Sequence, residues 1–361
     1  MKNSGLFRIS FLKVMNACKV FTGFALFSAM LFTNSCKNDF EVNGKWKEVM
    51  VIYGLLNPAD AVQYIKINKA FLGKGNAYDM AMVPDSFIYK PGEIEARLER
   101  WNNETVSQTI ILERDSSIAK DPGTFANVPN ILYKTNEPIH QDDGSTYKLV
   151  VTNLISGTSA KGNASTPVVG KISLISPNAN QTLDWTNPKS AVKIKWNTAS
   201  GGKIYQLTIR FHYKQIGKTA LYDTLYTYAD WVFQNQISAN TGGNEDLEQA
   251  MMGSEFYKFI EAKIPPNGDV LRIAGQIEFI FTVGAEELYN YSEFNKPSTG
   301  IIQERPVYTN IEGGVGLFSS RFTQHSNLHK MNDNSILLLL SKSETLGLGF
   351  CDPLNPAYPC N

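Results

Sequence analysis

A handful of side chains in this 361-residue chain have types and spacings that could carry chemistry. Cys36 ends the stretch Thr33-Asn34-Ser35-Cys36 directly after an apolar run, a place where a thiol would carry a lipid. Cys351 and Cys360 flank a segment with prolines at 353, 356 and 359. Proline resists helix and suits a tight loop, so in an oxidising compartment these two thiols read as a disulfide. Tyr222, Tyr226 and Tyr228 fall on one face of an alternating segment, with Trp231 at its end. Such rings have an apolar body and a polar tip, which suits stacking on a sugar or a peptide at a partly wet surface. The same four rings would equally serve by packing beneath a neighbouring helix.

The motifs of catalysis come up short. Gly157-Thr158-Ser159-Ala160 begins like a nucleophile elbow, but Lys161 stands where a second glycine belongs and the segment reads as a hairpin turn. His325 and His329 are four apart, a helical spacing in a stretch that otherwise reads as strand, and no acidic residue in His-Glu-x-x-His register accompanies them. The Cys351 and Cys360 pair has no nearby histidine or second cysteine pair, so neither place is read as a metal site. Asp142-Asp143 and Glu286-Glu287 are adjacent carboxylates of the kind usually found as solvated turn charges. Catalytic carboxylate pairs meet in space and not along the chain, which leaves a hydrolase reading open. No cofactor motif is present in the sequence.

Composition narrows the partners. Residues 1–35 hold Lys2, Arg8, Lys13 and Lys19 ahead of an apolar run at 20–32, the form of an export signal. That run is shorter than the roughly 20 residues a spanning helix needs. The whole chain is formally neutral; without its basic leader the remainder is at about −4. Nucleic acid and anionic lipid headgroups both call for clustered Lys and Arg, and no such cluster occurs, so neither is an expected partner. With 43% hydrophobic and 11% aromatic residues the chain has the means to fold around sizeable cores.

The elements that must position these residues read mainly as strands. Segments 49–53 and 64–69, the hairpin 93–101 with 105–112, and the pair 147–152 with 159–166 form a first β-sandwich over 48–166. The last pair, a Tyr-x-Leu-x-Val strand returning through a glycine turn, resembles the end of an immunoglobulin-like sandwich. A second, fibronectin-like sandwich over 167–330 follows from strands at 168–175, 192–196, 205–213, 220–228 and 272–283, closed by 313–320. An inserted helix is expected near 244–263, with Asn244 as N-cap, acidic residues in its first turn and Pro265-Pro266 as its stop. Met252, Phe256, Phe259 and Ile260 would be its apolar stripe. Residues 36–47 read as a tether, and 331–361 as a short helix at 335–345 followed by the disulfide loop. The expected fold class is therefore mainly β, two immunoglobulin- or fibronectin-like β-sandwich domains, the second carrying the inserted α-helix and a short C-terminal helix.

Val51-Ile52-Tyr53-Gly54-Leu55-Leu56-Asn57-Pro58, Asn68-Lys69-Ala70-Phe71-Leu72-Gly73 and Asn310-Ile311-Glu312-Gly313-Gly314-Val315-Gly316-Leu317-Phe318 together resemble a family of Bacteroidota outer-membrane lipoproteins of unassigned function. Lys37-Asn38-Asp39 likewise resembles the surface-export signals of such proteins. The resemblance implies an outer-membrane lipid anchor, facing the periplasm or the cell surface, and a role as accessory to a TonB-dependent transporter or another envelope protein. Its motifs are structural and assign no functional residues. The expectation is a non-enzymatic binding or assembly module; an adhesin-like structural surface protein is the alternative.

Overall fold

The structure is a computed structural model, and it describes residues 49–70, 76–123, 125–126, 128–163, 168–219, 224–296 and 308–360. Along the chain these form β1 (Met50–Leu56), β2 (Gln63–Lys69), α1 (Ala77–Ala81), β3 (Ile94–Asn102), β4 (Thr105–Ile111), β5 (Glu113–Asp115), β6 (Leu132–Thr135), β7 (Thr146–Asn153) and β8 (Ser159–Asn163). There follow β9 (Ser173–Ser176), β10 (Ala191–Asn197), β11 (Ile204–Gly217), β12 (Thr224–Val232), β13 (Gln236–Ile237), β14 (Asp246–Met252) and α2 (Gly253–Lys263). The chain ends with β15 (Val270–Gly284), α3 (Glu286–Phe294), β16 (Ile311–Glu312), β17 (Gly314–His325), α4 (Asp333–Ser341) and β18 (Phe350–Cys351). The protein is mainly β, as its alternating segments require.

One long sheet organises the fold. Its strands run β12-β11-β15-β17-β1-β2-β6-β5, with β13 and β18 added beside β11 and β15. A five-stranded sheet, β16-β8-β7-β3-β4, and a three-stranded sheet, β14-β10-β9, form the other layers. Buried apolar residues up to Val168, joined by Ile311 and Phe318, make one core against the five-stranded sheet. Those from Val169 onward make a second, which takes in β10, α2 and α4. Phe318 enters the first core and Phe322 the second. Being four apart on one strand they point to the same side, so both cores occupy one face of the long sheet. On its opposite face α3 lies over β17, where the Ser319 hydroxyl donates to the Glu287 carboxylate at 3.1 Å and the Ala285 N–H to the Ser320 carbonyl at 3.0 Å.

Strand β17 does more than close the second half. It is antiparallel to β15 over residues 321–325 and parallel to β1 over 314–320, so it joins the two halves edge to edge. Gly316 is what allows that approach: at φ +129°, a Cβ there would stand 1.9 Å from the Ile52 carbonyl oxygen.

The helix expected near 244–263 is half strand. Residues 246–252 pair antiparallel with β10, Leu247 facing Trp196 and Glu248 facing Lys195, and only 253–263 is helical. Period-two burial decides this: Met251 is buried, and Glu248 spends its charge across the sheet on Lys193 at 2.7 Å and Lys195 at 3.2 Å. Asn244, at φ +61°, lies outside the helix, its N–H donating to the Thr198 carbonyl. Met252 caps the helix instead, its N–H donating to Glu255 at 2.7 Å, and its side chain is exposed while Phe256, Phe259 and Ile260 are buried. The last helix begins two residues earlier than its sequence suggested, because the Asn332 side chain accepts from the Ser335 N–H at 2.8 Å. Of the strand expected at 168–175, only residues 173–175 fall in a strand, β9, which runs on to Ser176.

Candidate functional site

The residues with chemical potential gather on the face of the long sheet that carries no core, at its β12-β11-β15-β17 end. Strand β11 alternates strictly. Tyr205, Leu207, Ile209 and Phe211 are buried in the second core, and Gln206, Thr208, Arg210 and His212 face the other way. Register then builds the site: Arg210 lies opposite Asp230, His212 opposite Tyr228 and Lys214 opposite Tyr226. A bulge in β15, where Phe211 faces Ile277 but Tyr213 faces Ala274, opens a hollow beside His212. Gly275 sits in it, and any Cβ there would stand 2.5 Å from the His212 carbonyl oxygen.

The result is a groove of about 360 Å³ lined by Tyr226, Tyr228, His212, Lys214, Gln276 and Leu328, among others. Tyr226 is 73% and Tyr228 51% exposed. The Arg210 guanidinium stacks on the Tyr228 ring with its carbon 3.7 Å from the centroid, and the Lys214 ammonium lies 5.3 Å from that of Tyr226.

Beneath these rings the charges satisfy one another. Arg210 grips Asp230 through two hydrogen bonds of 2.8 Å, and that carboxylate raises the arginine pKa further. Glu278 sits between two imidazoles, His212 Nε2 at 2.9 Å and His325 Nδ1 at 2.8 Å, each on its own carboxylate oxygen. Burial would raise the Glu278 pKa, but the hydrogen bonds from His325 and His212 outweigh it and hold the pKa below its ordinary value. An ionised carboxylate only accepts, so both ring nitrogens carry their protons toward it. Among the described residues no group of three His, Cys, Asp or Glu side chains is arranged to hold a metal ion.

The residues singled out from the sequence separate in space. Tyr226 and Tyr228 line the groove. Trp231 does not: it faces the core side, stacked on Phe259 at 5.2 Å and tilted against Phe233 at 4.7 Å. Its position is odd where theirs are even, and parity alone sends it to the other face. Tyr222 and Cys36 lie outside the described residues. Cys351 and Cys360 are bonded, with Cα atoms 5.1 Å apart, and Cys351 lies in β18 opposite Ile273 of β15. His325 and His329 part company, His325 on the Glu278 bridge and His329 buried 5.1 Å from the Phe279 ring. Glu286 and Glu287 open α3, a helix the sequence reading missed, and Glu287 is buried. Asp143 pairs with Arg100, and Asp142 accepts the Lys171 N–H at 3.2 Å.

Arg210, His212 and Glu278 were also missed. Their signal was present, since each sits between buried aromatic or aliphatic neighbours in a period-two run, but which strand faces which is not written in any one segment. No described helix is long and apolar enough to cross a membrane. No protein-family model matches the chain, and no curated protein matches it.

Proposed function

We propose that this protein is a non-enzymatic outer-membrane lipoprotein, anchored through Cys36, whose outer sheet face is a binding or assembly surface for another envelope protein. In this reading it is an accessory to a TonB-dependent transporter. The leader ending at Cys36 supports the anchor. The observation that carries the binding role is the exposed Tyr226 and Tyr228 pair, set on a rigid strand pair over charges already neutralised by one another. Exposed, preorganised aromatic rings are the usual anchors of protein interfaces.

The test is co-purification of the full chain from mild detergent, wild type against a Tyr226→Ala/Tyr228→Ala variant. The expected result is an envelope protein, a transporter in particular, retained by the wild type and lost from the variant. Undiminished retention by the variant would move the interface elsewhere. Release of Cys36→Ser from the membrane fraction is the companion result, and its firm retention would remove the anchor. A fimbrial partner would favour the adhesin-like alternative, and turnover of a glycan or peptide by pure protein would overturn the non-enzyme reading.

A further inference from the structure

Strand β12 ends the long sheet, and among the described residues no strand pairs with its outer edge. The direction of its free groups follows from one bond. The Phe233 N–H donates to the Leu207 carbonyl, and residues 207 and 233 continue the pairing register in which Thr208 faces Val232. Antiparallel ladders alternate, so the odd residues of β12 bond β11 and the even ones turn their N–H and C=O groups outward. Among the described residues, Thr224, Tyr226, Tyr228, Asp230 and Val232 therefore present a row of unpaired backbone groups.

Natural edges are blunted by shortness, by lysine or proline, or by a bulge. Four of the other five sheet ends obey this: β5, β9 and β16 have three, four and two residues, and β4 is bulged against β3, while β14, the fifth, has seven residues and carries two carboxylates, Asp246 and Glu248. The edge of β12 has nine residues, Thr-Leu-Tyr-Thr-Tyr-Ala-Asp-Trp-Val, with no lysine, arginine or proline. It also leaves Leu225 and Val232 each 55% exposed.

We propose that this edge pairs with its own copy, β12 antiparallel to β12 about a twofold axis at Tyr228, to give a symmetric dimer with one continuous sheet. The strand is complementary to itself in that register. On the outer face Tyr228 meets Tyr228, Tyr226 meets Asp230 and Thr224 meets Val232. On the core side Leu225 meets Trp231 and Thr227 meets Ala229. All nine residues pair, the outward even residues supply the hydrogen bonds, and no like charges are opposed. An axis at Asp230 would set two carboxylates against each other, and an axis at Tyr226 would leave Ala229, Asp230, Trp231 and Val232 without partners in the strand. The dimer places the Tyr226 and Tyr228 grooves of both copies side by side across the axis, so each copy completes the aromatic surface of the other. This pairing goes beyond the binding role proposed above and does not depend on it.

The experiment is light scattering of the full chain in mild detergent over about 1 to 100 μM, with the protein mass separated from the micelle. Wild type is expected to reach twice the chain mass. Tyr228→Lys, which opposes two ammonium groups at the axis, is expected to weaken dimerisation at least about tenfold with its circular dichroism unchanged. Photo-oxidative cross-linking of wild type should yield a Tyr228–Tyr228 dityrosine peptide, a readout that needs no variant. A monomer throughout the range, a dimer that Tyr228→Lys leaves intact, or cross-links confined to other tyrosines would each overturn the proposal. A wild type that dimerises but retains no envelope partner would instead count against the binding role alone.

Discussion

Single side chains in this protein are assigned to core or surface by parity, and the consequences differ sharply between neighbours. Tyr228 and Trp231 are three residues apart and belong to opposite faces, a distinction that period-two counting delivers once the strand is known to run unbroken through 224–232. His329 shows what sequence does not deliver. It is 2% exposed, its Nε2 has no hydrogen-bond partner among the described residues, and its Nδ1 is 3.5 Å from the Gln181 carbonyl oxygen. Burial lowers its pKa, more than the Gln181 contact raises it. The unfolded chain therefore takes up the proton first as pH falls. Stability is fully present above about 6.5 and declines below it, by at most about 1.4 kcal/mol per pH unit for this one proton. Glu278 adds a separate loss only below about 4.5, since its folded pKa is depressed. We expect His329→Leu to flatten the dependence of the urea midpoint between about pH 6.5 and 5 while leaving or raising stability at neutral pH. An unchanged slope would place the acid sensitivity in other groups.

Elements were legible where local pattern and tertiary context agree. Strands β3, β7 and β11 each carry an alternation that their burial reproduces, and the turns at 102–105 and 153–159 could be read directly, although in β4 only Ile110 is buried. Segment 246–252 could not, because its acidic residues serve a helix N-terminus and a cross-strand lysine ladder equally well, and only the presence of Lys193 and Lys195 on β10 decides between them. The C-terminal loop was legible from proline and cysteine spacing alone. It holds β18 parallel to β15, and the buried Arg272 ties it further, its N–H donating to the Gly349 carbonyl at 2.7 Å. Closing so short a loop should stabilise by about 2.7 kcal/mol in the chain-entropy model. Cys351→Ser/Cys360→Ser should lower the urea unfolding free energy by roughly that amount, and a loss under about 1 kcal/mol would mean that Arg272 and the β18 pairing already fix the segment.

At the scale of the molecule, two cores share one sheet, and the parallel contact of β1 with β17 is the seam between them. Composition and length suggested two hydrophobic cores; the seam was hidden because its two strands are separated by more than 250 residues of intervening chain. What the sequence does display is the run Gly313-Gly314-Val315-Gly316, and the structure supplies its reason in the closeness of Gly316 to the Ile52 carbonyl. A side chain at 316 must displace β1 or twist β17, and the backbone at φ +129° is one that residues with a Cβ avoid. Gly316→Val should therefore cost more than about 3 kcal/mol, and its effect should be qualitative as well. Trp185 and Trp196 lie in the second core, so tryptophan fluorescence weights that half, whereas far-ultraviolet circular dichroism reports strands of both. In the wild type the two signals should unfold together in urea, because β17 couples the halves. In Gly316→Val they should separate, the circular dichroism beginning its transition at lower urea as the half containing β1 and β2 loosens first. Coincident curves at an unchanged midpoint would show that the seam carries no coupling and that each core stands by itself.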